Sequence, residues 1–174
     1  MAREGLARLF RRVIATAASA AILLCGPGLA EEPHLLVFDM ESASSGSEPL
    51  LTIAPDGVAE LRAVPNRIAA IRTKLPPERV AEIVGFLTGD ANILAVDTEE
   101  IRAEMTRQGM IGNRMNVADA PTTRIALSLH GSRIEIRFYA VSEAARDFPG
   151  IQGLADLRKA ERYLLALVSE LRGG

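Results

Sequence analysis

A single cysteine, Cys25, excludes an internal disulfide framework. Two histidines, His34 and His130, stand far apart and outside any HxxxH spacing. A zinc site needs three or four ligands, so zinc chemistry has no candidate set here, and no other metal or cofactor is expected. There is no tryptophan and only 4% aromatic residues, so aliphatic side chains must fill the core. Charges of both signs are interspersed, and the formal net charge is −2. Without a basic stripe or aromatic platforms, nucleic-acid binding is not expected. The chain has no P-loop, no G-x-G-x-x-G and no G-x-S-x-G elbow. A catalytic triad can assemble from distant residues, so missing motifs alone do not exclude an enzyme.

What is present begins with an address. Arg3, Arg8, Arg11 and Arg12 form a basic start. Residues 13–24 are apolar or small, interrupted only by Thr16 and Ser19. Gly26-Pro27 breaks the run, and Gly28-Leu29-Ala30 offers small residues where a signal peptidase reads. The pattern predicts a signal peptide over 1–30, cut between Ala30 and Glu31. Cleavage leaves 144 of 174 residues; losing four Arg and one Glu moves the charge from −2 to −5. An uncleaved anchor is the alternative, but the run is shorter than the roughly 20 residues that span a bilayer. Arg11-Arg12 fits a twin-arginine signal only in part. Leu24 is bulky where lipid attachment at Cys25 asks for a small residue. The expected location is therefore periplasmic or extracellular, with no stable membrane insertion after cleavage.

The chain is organised around residues 122–139. Ile125, Leu127 and Leu129 alternate with polar or small residues, as do Ile134, Ile136 and Phe138. Alternation with period two predicts a hairpin with one apolar face. A Gly131-Ser132 loop would pair Leu129 with Ile134, Leu127 with Ile136 and Ile125 with Phe138. A His130-Gly131 loop preserves the faces but pairs Leu129 with Ser132, so the first register is preferred.

Upstream, 34–38 reads as a short buried strand and 41–48 as a Ser-rich linker. Leu51 and Ile53, a Pro55-Asp56-Gly57 turn and 58–64 predict a first hairpin. Residues 68–71 add a strand or a connector. Leu75-Pro76-Pro77 opens a helix in which Val80, Ile83, Val84 and Leu87 share a face. Asp97 with Glu100 is a near capping box for a second helix through Arg107. Residues 110–121 read as irregular, and 140–153 as loop or broken helix. A last helix over about 154–171 carries Leu157, Ala160, Leu164, Leu167, Val168 and Leu171 on one stripe. Its charged residues, Glu161 among them, are placed mostly toward solvent. Two hairpin–helix units, 51–87 and 123–171, read either as an internal duplication or, more plainly, as what ordinary two-layer packing produces.

The expectation is an α+β domain: an antiparallel sheet of about four to five strands, packed on one face by helices in two layers. The domain is set at 50–174, preceded by a strand and linker at 31–49.

Few residues invite a function. His34 and His130 read as terminal and turn residues. Met105, Met110 and Met115 recur every five residues, a spacing that suits neither a helix nor a strand face; they read as gap fillers rather than copper ligands. Asp119 reads as a strand-entry turn. Arg124, Arg137 and Tyr139 share the outer face of the central hairpin and would receive an anionic or planar ligand if exposed together. Ordinary cross-strand pairing is the plainer reading.

Pro55-Asp56-Gly57, Leu75-Pro76-Pro77-Glu78, Asp119-Ala-Pro-Thr-Thr123, Phe138-Tyr139-Ala140 and the Leu-rich closing helix together resemble exported bacterial proteins and lipoproteins of unknown function. The resemblance spans about 50–171 and is clearest over 119–140. It implies export and an α+β fold, and it carries no catalytic residues. The residues themselves point to a non-enzymatic binding or accessory domain whose partner is a protein or envelope component. A small envelope hydrolase and a structural envelope subunit are the alternatives.

Overall fold

The structure, a computed structural model, describes residues 34–42, 48–64, 67–108 and 119–173. The signal segment with Ala30 and Glu31, most of the Ser-rich stretch, and Met110 and Met115 lie outside the described residues.

Six strands form one antiparallel sheet: β1 (Leu36–Glu41), β2 (Leu51–Ile53), β3 (Val58–Leu61), β4 (Ile71–Lys74), β5 (Thr122–Leu129) and β6 (Ser132–Tyr139). Their order is β4-β3-β2-β1-β5-β6. The count exceeds the four to five expected because β4 starts only at Ile71, past a connector held by a Val64–Ile68 bridge. The helices are α1 (Pro77–Gly85), α2 (Thr98–Arg107), α3 (Val141–Asp147) and α4 (Gln152–Gly173). A π-helical turn, Phe86–Asp90, continues α1, and a 3₁₀ turn, Ile93–Ala95, leads toward α2. The α+β class holds.

The strand at β1 corrects the domain boundary at residue 50. It is inner in the sheet, with β2 on one side and β5 on the other. Phe38 pairs with Leu51 in one neighbour and Ile125 in the other. No domain starting at residue 50 contains its own sheet. Residues Glu32–Gly174 make one compact unit.

The hairpin register also differs from the preferred one. Leu129 pairs with Ser132, Leu127 with Ile134, Ile125 with Ile136 and Thr123 with Phe138. The loop is His130-Gly131, with φ of 50° and 80°. Two positive φ values make a type I′ turn, whose twist matches the strands. His tolerates the left-handed region better than most residues. The slip is two residues, so every side chain keeps its face. Its consequence is local: Thr123, not Ile125, lies opposite Phe138.

The first turn follows its residues. Gly57 has φ 89°, and Asp56 Oδ1 accepts from Val58 N at 3.0 Å. A Cβ at Gly57 would come within 2.8 Å of the Leu75 carbonyl oxygen, so this position is closed to side chains. Pro76 and Pro77 start α1, and Asp97 Oδ1 caps α2 through the Glu99 and Glu100 amides at 2.8 and 3.1 Å.

Leu36, Phe38, Leu51, Ile53, Leu61, Ile125, Leu127, Ile136 and Phe138 bury one sheet face within the same core as Leu157, Leu164 and Leu167. Leu129, Ile134 and Leu171, all expected in that core, are only partly buried at its margin. On the other face Val37, Asp39 and Ala126 are buried as well. They sit on the inner strands β1 and β5, and the middle of that face is not wet.

Candidate functional site

Arg124, Arg137 and Tyr139 do share the outer face of β5 and β6. Arg124 sits directly opposite Arg137 in the ladder and opposite Asp39 in β1. Each guanidinium already has a carboxylate. Arg124 Nε donates to Glu135 at 2.9 Å, and Arg137 Nη2 donates to Glu41 at 2.5 and 2.6 Å. Hydrogen bonding to Arg124 holds the Glu135 carboxyl below its ordinary pKa and pushes Arg124 up. This is cross-strand pairing, with the two like charges separated by their own counter-ions.

The other sequence candidates scatter. His130 is exposed at the hairpin tip. His34 lines a cleft with Thr52, Glu60 and Arg62, and its buried Nδ1 has no hydrogen-bond partner among the described residues. Met105 is 3% exposed and fills the apolar core from α2. Asp119 turns with φ 72°, in keeping with strand entry. Among the described residues, no three His, Cys, Asp or Glu are grouped to hold a metal ion.

One residue was placed on the wrong side of its helix. Glu161 is 3% exposed. Thr123 Oγ1 donates to its Oε2, and Ser142 Oγ donates to its Oε1 at 3.0 Å. The signal was in the spacing. Leu154, Leu157, Glu161, Leu164 and Val168 step by three and four, so Glu161 falls on the apolar row itself.

The second feature that sequence reasoning missed is a groove of about 500 Å³ beside α4. Ala155, Arg158, Lys159, Arg162 and Tyr163 recur at helical spacing and form one wall. Phe86, Ala145 and Pro149 complete it. Phe86, at the head of the π-turn, stacks on Tyr163, with ring centroids 4.0 Å apart and planes 16° from parallel. Such turns recur at functional sites. Lys159 Nζ lies 5.7 Å from the Phe86 centroid and donates to the Asp90 carbonyl at 2.8 Å. Arg158 Nη1 donates to the Ser142 carbonyl at 2.9 Å. Arg162 is exposed and makes no ion pair among the described residues. Two of the three cations are thus oriented by carbonyl groups, and Lys159 also lies 3.9 Å from the Asp90 carboxylate.

Tyr163 marks the inner end of this stack. Its hydroxyl is buried without a hydrogen-bond partner among the described residues, and burial pushes its pKa up. A raised phenol pKa gives stability that is complete below the unfolded pKa and is lost as pH rises through the folded one. Stability should therefore fall in the alkaline range, with the phenolate absorbance of Tyr163 appearing at higher pH than that of a free tyrosine. Tyr163→Phe should be neutral or slightly stabilising at pH 7, because it removes an unpaired polar atom, and it should flatten the alkaline loss. A strongly destabilised Tyr163→Phe at neutral pH would show that the hydroxyl has a partner.

Comparison with family models, with curated proteins and with solved structures found no match. The likeness to exported bacterial proteins rests on its quoted residues alone.

Proposed function

We propose that this chain is an exported, non-enzymatic domain that binds an anionic component of the cell envelope through the groove beside α4. The groove carries this reading. Its charged lining consists of Arg158, Lys159 and Arg162, which attract and orient an anion. Among the described residues, no carboxylate, histidine or aliphatic hydroxyl lines it to serve as base or nucleophile. The basic start, the short apolar run and Gly28-Leu29-Ala30 support export. Among the described residues no helix is long and apolar enough to cross a membrane.

Fractionation of expressing cells tests the reading. The exported protein should begin at Glu31 and sediment with envelope material at low salt. High salt should release it, because exposed charges are screened. Arg162→Glu, at an exposed position without an ion pair, should leave the circular dichroism unchanged and keep the protein in the soluble fraction. If wild type and variant partition alike at low salt, the groove is not what holds the protein there. A chain retaining Met1 in the membrane would remove the export part.

A further inference from the structure

We propose that the groove takes a phosphoryl group joined to an apolar body. The inference rests on the binding function proposed for the same groove and names its ligand class. Most arginines elsewhere are matched to carboxylates, among them Arg62 to Asp39, Arg79 to Glu82 and Glu170, Arg124 to Glu135 and Arg137 to Glu41; Arg67 and Arg172, which form no ion pair among the described residues, are the exceptions and stand singly. In the groove that matching stops. Arg158 donates to a neutral carbonyl, and Arg162 forms no ion pair among the described residues. Lys159 has only a loose approach to Asp90, at 3.9 Å. A chain of net charge −2 therefore concentrates uncompensated positive charge at one place.

The geometry then favours phosphate over carboxylate. Arg158 and Arg162 are four residues apart on one helix, so their forks project from neighbouring turns. Guanidinium forks match the oxygens of phosphate and bind them in pairs. Lys159 adds a point charge between them in sequence. Three cations are better satisfied by a doubly charged tetrahedral group than by a single planar carboxylate. Beside them Phe86, Pro149 and Ala155 present apolar surface, which a bare phosphate would leave wet. Arg158 and Lys159 are already fixed by the Ser142 and Asp90 carbonyls, so little ordering remains when a ligand arrives.

Titration of the nitrogen-labelled exported protein with phenyl phosphate tests this directly. Amide signals around Arg158, Lys159, Arg162 and Phe86 should move together. Phenyl phosphate should bind about tenfold or more tightly than inorganic phosphate, which lacks the apolar body, and than benzoate, which lacks the second charge. Arg162→Ala should weaken it about tenfold with the fold intact. Vesicles of phosphatidylcholine with and without phosphatidic acid separate the sources. Binding that follows phosphatidic acid assigns a lipid headgroup; binding of phenyl phosphate alone assigns a soluble ester. Silence toward both phosphate probes, benzoate binding as tightly as phenyl phosphate, or shifts unaffected by Arg162→Ala would overturn the ligand class. Should salt-released envelope binding survive that outcome, the domain still binds an anion there and only its chemistry is wrong; loss of both removes both.

Discussion

Ile136→Ala should remove about 2–5 kcal/mol of stability, through lost transfer energy and the cavity left behind. Ile136 is 4% exposed, opposes Ile125 in the ladder, and belongs to the core that also contains Leu157 and Leu164. Native domains hold only about 5–15 kcal/mol in total, so the urea midpoint should fall steeply. Glu135, one residue earlier on β6, supplies the control. Its side chain is 34% exposed and pairs with Arg124 across the strands. An ion pair this exposed contributes about 0–1 kcal/mol, so Glu135→Ala should shift the midpoint only modestly. The small effect has a pH signature. The Glu135 pKa is depressed in the folded state, so its contribution exists above the unfolded carboxyl pKa and is lost as pH falls through the folded one. The two substitutions share a strand and differ in face. Equal losses from both would mean that the faces of β6 are assigned wrongly.

The faces were legible because period two survives any register shift of two residues. Ile125, Leu127, Ile136 and Phe138 are buried in the register found and would be in the one preferred. The register itself depended on which two residues accept positive φ. Gly131 does so in either loop, and the decision fell to His130, a residue whose side chain carries little information about its backbone. The inner position of β1 was illegible for a different reason. A six-residue strand with apolar Leu36, Val37 and Phe38 says only that it is buried. Which strands flank it depends on long-range pairing, here with residues 51–53 and 122–127. The polar stretch after it then looked like a domain boundary, although it is a connection within one sheet.

The groove was harder to foresee than the fold. Arg158, Lys159 and Arg162 were visible as the charged side of an amphipathic helix, which most surface helices have. Their meaning comes from what lies opposite them. Phe86 opens the π-turn after α1, in which Ala91 N donates to the Phe86 carbonyl at 2.9 Å, and it meets Tyr163 only through tertiary packing. Nothing in Phe86-Leu87-Thr88-Gly89-Asp90 announces that turn. By contrast Arg124, Arg137 and Tyr139 were correctly placed on one face. The carboxylates that occupy the two arginines come from β6 and β1, and the sequence reading did not have β1 in that sheet.

Thr123→Val should cost about 2–3 kcal/mol, although it exchanges one branched side chain for another of nearly equal volume. Thr123 is 1% exposed, and its hydroxyl donates to the buried Glu161 carboxylate. The only other hydrogen-bond donor to that carboxylate among the described residues is Ser142, also a neutral hydroxyl. Taking Thr123 away leaves an acceptor oxygen in the core without a donor, and an unmet acceptor of a charged group costs more than the bond's net worth. Glu161→Leu should behave differently. It fits the row formed by Leu154, Leu157, Leu164 and Val168, and replacing a buried charge by an apolar residue of similar size is often neutral or stabilising. In the Glu161→Leu background, Thr123→Val should then cost close to nothing, because the hydroxyl has lost its carboxylate. Urea midpoints of the four proteins measure this coupling. An equal cost of Thr123→Val in both backgrounds would make Thr123 a packing residue and the hydrogen bond incidental. The predicted non-additivity would instead make Glu161 the joint at which α4 is fixed to β5 and to α3. Ser142 would be held through its hydroxyl at this joint and through its carbonyl by Arg158, so the same joint would set the wall of the groove.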